Sequence, residues 1–563
     1  MLEKQGGWWR AEKSPGHGED YWFVLDGEGP FPDPRSHWQP RGVDGPSRRL
    51  DHSRFEWSDQ GFQASPLSSA VIYELHVGTF SSKGTFKGVL YKLDHLAELG
   101  VSHVELMPVA EFSGERGWGY DGVNLYAPHH AYGQPEDLKE LVNACHSRGL
   151  GVILDAVYNH LGPKGNYLPR FGPYFTDRYR TPWGDAVNFD GADSDEVRRF
   201  FIDNALMWLR DYHFDVLRLD AVHALYDFSA RHFLEELAWE VKDLEASLGR
   251  HLVLIAESDL NDPRIIRPFQ AGGYGLHAQW NEDFHHALHG ALTGESQGYY
   301  ADFGGLAHLA KALEKGFVYD GAYSAFRRRR HGRPAPDICG HKFVGCLQNH
   351  DQVGNRAGGE RTSHLLTPGQ LKMGAALVLT SAFIPMLFQG EEWGAKTPFL
   401  YFTAHEDEEL ARAVFQGRLA EFADFGWQSQ DIPDPQSLET FARSRLDWQE
   451  PDREGHAEIL NWHRELIRLR RKHPALTSGR LELVQVDFRE EDKWLVMHRG
   501  SLCLACNFSP VQQTVPLDNP LGSLEILLAS HADAALYGLD LFLPGHCVAV
   551  LECGFSAFPP SWK

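Results

Sequence analysis

Between Phe86 and Gly100 the apolar residues Phe86, Val89, Leu90, Leu93 and Leu96 fall at helical intervals, with Gly100 following. That spacing puts one apolar stripe on a helix, and a glycine just past it is a common stop. The next stretch, VSHVELMPV, is almost continuously apolar and reads as a buried strand. The alternation repeats in DLKELVNACHSRG then GVILDAV, EVRRFFIDNALMWLRDYH then FDVLRLD, and ARHFLEELAWEVKDLEASLG then HLVLIAE. GLHAQW, FVGCLQ and FIPMLFQ are further strand candidates. Helices alternating with apolar strands predict parallel strands covered outside by helices. Roughly eight such units over ~400 residues predict a closed (β/α)8 barrel rather than an open sheet.

The texture differs at both ends. Residues 1–65 are rich in Gly, Pro and Trp, with short strand-like pieces such as YWFVLDG, and predict a small β-sandwich-like domain. Residues 66–473 carry the barrel pattern. From residue 474 to 563, LELVQVDF, KWLVMHRG, LCLACNF and HCVAVLECG predict an antiparallel β-domain. The fold class is therefore α/β, a barrel flanked by two smaller β-domains.

Composition narrows the partners. The net charge of −23 over 563 residues argues against a nucleic acid as the main ligand. One basic run, Arg327–Arg330, stands alone in this acidic chain and is expected to be a solvated loop. The 7 cysteines are odd in number and scattered, which fits free thiols, and the lone CxxC of Cys503 and Cys506 has no second pair to make a zinc site. The start, MLEKQGGWWR, has no apolar signal core, and no run of about 18 apolar residues occurs. A soluble cytoplasmic protein with no membrane partner is the expectation.

The chemistry lies where apolar strands end in polar residues. DAVYNH offers Asp155, Asn159 and His160; RLDAVH offers Arg218, Asp220 and His223; AESD offers Glu257 and Asp259; NHDQ offers His350 and Asp351. One acid at a strand end is usually a cap or an ion-pair partner. Closing a barrel, however, gathers all its strand ends around one mouth. Acids crowded there beside one arginine suit glycosidic bond cleavage, which needs a nucleophilic carboxylate, a carboxylic acid for the leaving oxygen, and negative charge near a cationic transition state. Arg218, two residues before Asp220, shares its face and would keep that carboxylate ionised. Apolar neighbours Leu254 and Ile255 and the nearby acid Asp351 would raise the pKa of Glu257.

These four clusters, in this order, resemble the motif regions of the α-amylase family of glycoside hydrolases. The resemblance implies a retaining mechanism in which Asp220 is the nucleophile, Glu257 the general acid/base and Asp351 the carboxylate that grips sugar hydroxyls in the transition state. It implies substrate contacts for Arg218, His160 and His350, and sugar stacking for Tyr120 in RGWGYDG. Longer segments, among them VIYELHVGTF, HVELMPVAEF, AESDLNDPR, QWNEDFHHALHGALTGESQGYY and NHDQVGNRAGGER, are similar to one branch of that family. Members of the branch hydrolyse the α-1,4 bond next to the terminal trehalose of maltooligosyltrehalose, releasing trehalose and a shortened maltooligosaccharide. This extends the implied contacts to His223, Gln352 and Asn355, and to Asp283 and His286 in NEDFHH, where a purely structural role weighs equally.

The branch begins with a fuller β-sandwich than this chain, which enters it near GGWWRAE, so a partial N-terminal domain is expected. Asn159 matches a calcium-ligand position of many α-amylases. Asp177, Asp185, Asp190 and Asp193 nearby form no recognisable ligand loop, so no metal and no cofactor is expected. The rival within the superfamily is a glucan-branching enzyme, which passes the glycosyl group to another glucan instead of water. A non-catalytic glucan binder is disfavoured by the presence of Asp220, Glu257 and Asp351, and no Gly-rich loop of dinucleotide or phosphate-binding type follows the first strands.

Overall fold

The computed structural model describes residues 2–5, 8–11, 14–423, 432–517 and 524–553. Eight parallel strands close into a barrel in chain order. They are β1 (Ile72–Leu75), β2 (His103–Leu106), β3 (Gly151–Ala156), β4 (Val216–Leu219), β5 (Val253–Ala256), β6 (Ala278–Trp280), β7 (Phe343–Cys346) and β8 (Ile384–Phe388). β8 pairs with β1 through Met386–Ile72, Leu387–Tyr73 and Phe388–Glu74, which completes the ring.

Inward-facing side chains fill the barrel. Ile72, Ile153, Val216, Ile255, Val344 and Ile384 pack together along the axis as one cluster. The residues between them, such as Tyr73, Val152, Leu217 and Leu254, belong to the outer core under the helices. Strand side chains alternate faces, so the residue two places beyond each inward position faces inward as well. Ile72, Ile153, Val216 and Ile255 are therefore followed on the same face by Glu74, Asp155, Arg218 and Glu257. The polar layer is the next tier of the apolar stack.

The covering helices follow the predicted alternation, with one refinement. The stripe from Phe86 predicts a single helix, and the structure divides it into α1 (Phe86–Leu90) and α2 (Leu93–Leu99). Lys92 N–H bonds to Val89 C=O at 2.8 Å, an i→i−3 contact that tightens the turn between them. Thr85 caps the start of α1 by accepting from Gly88 N–H, and Gly100, at φ 95°, ends α2 in the left-handed region that favours glycine. Further on lie α3 (Pro135–Ser147), α4 (Ser194–Asp211), α5 (Phe233–Leu248), α6 (Glu282–Thr293), α7 (Leu306–Lys315), α8 (Pro368–Thr380) and, after β8, α9 (His456–Lys472). The β5-to-β6 connection carries only a short 3-10 turn at Phe269–Ala271.

At the N-terminal end the expected YWFVLDG strand is divided: Asp20–Tyr21 pairs with Ser47–Arg48, and Phe23–Leu25 turns back on Glu28–Phe31. Asp26 and Gly27 make that turn with φ of 51° and 87°, the backbone a tight hairpin requires. At the other end Val484–Arg489, Trp494–Arg499, Leu502–Asn507, Val548–Cys553 and Leu524–Ala529 form an antiparallel sheet in that order. Arg499, buried, ties this sheet to the barrel by donating to the carbonyls of Thr380, Ala475 and Ser478 at 2.8, 2.9 and 2.6 Å. No helix among the described residues is long and apolar enough to cross a membrane.

Candidate active site

Arg218 organises the barrel mouth. It is 0% exposed, yet its guanidinium reaches three carboxylates. One terminal nitrogen donates to both oxygens of Asp155 at 2.6 and 2.7 Å and to Asp220 Oδ1 at 3.1 Å; the other donates to Glu257 Oε2 at 2.8 Å. The indole of Trp280, at the end of β6, lies 4.1 Å from the guanidinium carbon. A planar fork on an aromatic face is a geometry a lysine cannot reproduce. The shortest contacts of Arg218 thus go to Asp155, and Asp220 shares the arginine with Glu257.

The backbone between Asp220 and Glu257 is also committed. Ala221, immediately after Asp220, has φ 39°, an uncommon conformation for a residue with a Cβ. This turn aims the Ala221 N–H at Glu257 Oε2, 2.9 Å away. Asn159 holds Asp220 from the other side, its amide nitrogen donating to Asp220 Oδ2 at 2.7 Å and to its carbonyl at 2.9 Å. Asn159 thus positions Asp220 through its amide nitrogen, while its Oδ1 faces the His160 ring. Nearby acids are likewise engaged singly: Asp185 pairs with Arg180, and Asp190 accepts from Tyr179 Oη and the Phe228 N–H.

A second chain of contacts reaches the cluster from β7 and β1. Tyr120 donates to Asp155 Oδ2 at 2.6 Å and stands 2.7 Å from His350 Nε2. The other ring nitrogen of His350 meets Glu74 Oε1 at 2.5 Å. Glu74 on one ring nitrogen and the Tyr120 hydroxyl on the other surround His350 with acceptor oxygens, which favours its protonated form. Burial opposes that charge, and the charge and hydrogen bond of Glu74 outweigh it, leaving the pKa of His350 above its ordinary value. The Tyr120 ring stacks on His350, 5.2 Å between centroids.

Asp351 is the second residue of a short helical turn, His350–Gly354, capped by Asn349, whose side chain accepts from Gln352 N–H at 2.8 Å. Asn355 donates to Asp351 Oδ1 at 2.6 Å. The pKa of Asp351 is raised, first by burial and then by the charge of Glu257 against the pull of His350. Glu257 is raised too, by burial first, with Asp220 pushing up and Arg218 and the Ala221 N–H pulling down. Asp220, held beside Glu257 on the same arginine, adds to the repulsion that Glu257 and Asp351 share.

The other expected contacts divide. His160 stacks on Trp183 with ring centroids 4.2 Å apart, and burial lowers its pKa to about 4, so it is a neutral ring. His223 lies 3.8 Å from Asp259, and Gln352 is buried beside the Tyr300 hydroxyl. Asp283 and His286 in NEDFHH, for which the sequence weighs sugar contact and a structural role equally, both lie in buried settings. Asp283 is 4% exposed and its Oδ2 accepts from Asn261 Nδ2 and the N–H groups of Val318 and Tyr319, which makes it a loop brace. His286 is 6% exposed and packed among Tyr299, Tyr300 and Phe303. Helix α6 starts at Glu282, and consecutive residues of a helix point about 100° apart. Glu282, one position before Asp283, is the member of this stretch that feels the acids of the barrel mouth. Its pKa is well above the ordinary range, through burial and then the charges of Glu257, Asp259 and Asp351.

Sequence reasoning missed Glu74, Trp183 and Glu282 here, and the pairing of Arg327 with Asp259. Glu74 stands on β1 as a single acid in the apolar VIYEL, and only strand closure shows that it meets His350. Trp183 is 51% exposed, and its sole signal was the turn-like TPWG. Asp259 and Arg327 form an ion pair of 2.9 Å at the lip. Arg328, Arg329 and Arg330 are exposed as expected of a solvated run, whereas Arg327 turns inward to Asp259. Glu282 completes the acidic lining.

Three comparisons bear on this arrangement. The alpha-amylase catalytic-domain model matches residues 52–180, and a C-terminal model described only as a domain of unknown function (DUF3459) matches residues 479–550. The chain is 51% identical over 98% of its length to the malto-oligosyltrehalose trehalohydrolase of Arthrobacter ramosus, covering 95% of that protein. It is 50% identical over 92% of its length to the protein of the same name from Mycobacterium tuberculosis, covering 91% of it. A crystal structure of a Salmonella typhimurium protein superposes with a TM-score of 0.88 at 41% identity, over 98% of this chain and 94% of that one.

Proposed function

The chain belongs to the malto-oligosyltrehalose trehalohydrolases of the α-amylase family, and on that premise we propose how its own residues divide the work. It is a glycoside hydrolase that cleaves the α-1,4 bond next to the terminal trehalose of maltooligosyltrehalose and releases trehalose and a maltooligosaccharide. The carrying observation is the single buried guanidinium of Arg218 bonded to Asp155, Asp220 and Glu257. Asp220 attacks the anomeric carbon and forms a covalent glycosyl-enzyme. Glu257, its pKa raised by burial, gives its proton to the departing oxygen and then, as a carboxylate, takes a proton from the water that releases the sugar. The configuration is retained through two displacements. Asp351 binds hydroxyls of the ring being cleaved and favours its oxocarbenium form.

Tyr120 supplies an aromatic face below that ring, and His160, His223, His350, Gln352 and Asn355 bind the sugars on either side. Asp283 and His286 brace the wall. The same reading divides the chain into residues 1–65, 66–473 and 474–563, with the chemistry confined to the middle part.

The test is incubation with maltopentaosyl-trehalose. Free trehalose supports the assignment, whereas a longer or branched glucan with no trehalose would favour the branching-enzyme reading. Asp220→Asn in the same assay should lose at least about three orders of magnitude in kcat, since it removes the nucleophile. Undiminished turnover would overturn the role given to Asp220.

A further inference from the structure

The hairpin that presents Tyr120 has an unusual base. Ala110–Phe112 and Gly122–Pro128 pair antiparallel, with Pro128 opposite Ala110, and the loop between them carries Trp118 and Tyr120. Where the strands close lie Glu111, His129 and His130, each offering one ligand atom, all within 4.8 Å of one another. Among the described residues no other group of three His, Cys, Asp or Glu side chains converges in this way.

The details fit a ligand set better than a packed core. Glu111 is 0% exposed; its Oε2 accepts the His130 backbone N–H at 2.7 Å, which leaves Oε1 facing the two rings. Oε1 stands 2.8 Å from His130 Nδ1 and 3.3 Å from His129 Nδ1. His129 is also 0% exposed; its Nδ1 has only the 3.3 Å contact with Glu111, too loose in geometry for a full hydrogen bond, and its Nε2 makes none. Buried imidazoles ordinarily make full hydrogen bonds, and this one leaves Nε2 unmet and holds Nδ1 only loosely against a carboxylate, a spacing that an ion between them would account for. Stacking on Phe112, 3.7 Å between centroids, holds the His129 ring in that orientation.

We propose that Glu111, His129 and His130 hold a divalent transition-metal ion, Zn2+ by ligand preference, which clamps the base of the hairpin bearing Tyr120. Two imidazole nitrogens and one carboxylate oxygen suit zinc, while calcium and magnesium call for oxygen-rich shells. Metal–ligand bonds of about 2.0–2.2 Å at tetrahedral angles put neighbouring ligand atoms roughly 3.3–3.6 Å apart. The Glu111–His129 pair already meets that spacing, and the Glu111–His130 pair, at 2.8 Å, would open to reach it. The backbone N–H on Glu111 Oε2 is the outer contact that orients a monodentate carboxylate. The His130 side chain is 26% exposed, so the fourth position opens to water. The ion would supply no chemistry to the sugar. It would fix the strands whose loop carries Tyr120 to Asp155 and His350, and it stands independently of the substrate assigned above.

The full-length chain, stripped with chelator and dialysed, should take up about one equivalent of Zn2+ by elemental analysis. It should also give the visible absorption of tetrahedral Co2+ when cobalt replaces zinc. Added Zn2+ should raise its Tm. Glu111→Gln and His130→Gln should abolish both the uptake and the Tm response. Failure of the wild-type chain to bind either ion would overturn the proposal, as would unchanged binding by folded Glu111→Gln or His130→Gln. The wild-type titration decides by itself if a variant does not fold.

Discussion

Replacing Arg218 with lysine tests the central geometry, because it keeps the charge and removes the fork. In the wild-type site one guanidinium contacts Asp220 at 3.1 Å and Glu257 at 2.8 Å while bonded twice to Asp155. An ammonium group is a single point and cannot hold all three carboxylates in one plane. Each charge-assisted bond to a catalytic carboxylate is worth about 1.5–3 kcal/mol, so losing the alignment of both costs about 3–6 kcal/mol in the transition state. That is a fall of roughly 10²–10⁴ in kcat for trehalose release. Arg218 does not stack on sugar in this scheme, so KM should change far less than kcat. Arg218→Gln adds a second signature. The arginine pulls the pKa of Glu257 down, so its neutralisation should move the alkaline limb of the pH–rate profile to higher pH. Steady-state kinetics on a defined maltooligosyltrehalose, with circular dichroism to confirm folding, measures both. Arg218→Lys with kcat within about threefold of wild type would refute the idea that this guanidinium aligns the two acids.

Three further outcomes follow from other parts of the site. Glu105 on β2 is 0% exposed, neither carboxyl oxygen has a hydrogen-bond partner, and burial followed by the charge of Glu74 holds its pKa well above the ordinary range. A carboxyl raised in the folded state gives its full stability below its unfolded pKa of about 4.3 and loses it as pH rises, because only the unfolded chain ionises freely. Glu105→Gln should therefore match wild type in Tm near pH 4 and exceed it at pH 8, and equal Tm at both would count against a neutral Glu105. Trp183→Ala removes an exposed indole stacked on His160 and should raise KM roughly fivefold, about 1 kcal/mol, with kcat little changed. Arg327→Met frees Asp259 beside the acid catalyst and should raise KM for trehalose-ended substrate roughly tenfold, more than for a plain maltooligosaccharide of equal length.

Much of this was legible along the chain, and the division has a physical basis. Period-two strands and helical stripes are local, so the barrel could be read from runs such as GVILDAV and FDVLRLD. The inward register of those strands also marks Asp155, Arg218 and Glu257 as one tier. The split of the first helix at Tyr91 was not legible, because a single i→i−3 bond leaves the apolar spacing intact. Asp283 and Glu282 could not be ranked from NEDFHH, since adjacent polar residues at a helix start carry the same composition and only the loop at Val318 and Tyr319 decides which is consumed.

The sequence by itself determined which residues could do chemistry and which face of each strand they share, because side-chain type and backbone period are properties of neighbours in the chain. Only the tertiary structure decided who binds whom. It assigned the Asn159 amide to Asp220, Glu74 to His350 across the β8–β1 closure, and Arg327 to Asp259 out of an otherwise solvated basic run. Those pairings join residues tens or hundreds of positions apart. Their energies depend on burial and on distances of a few ångströms, which exist only after the barrel has closed.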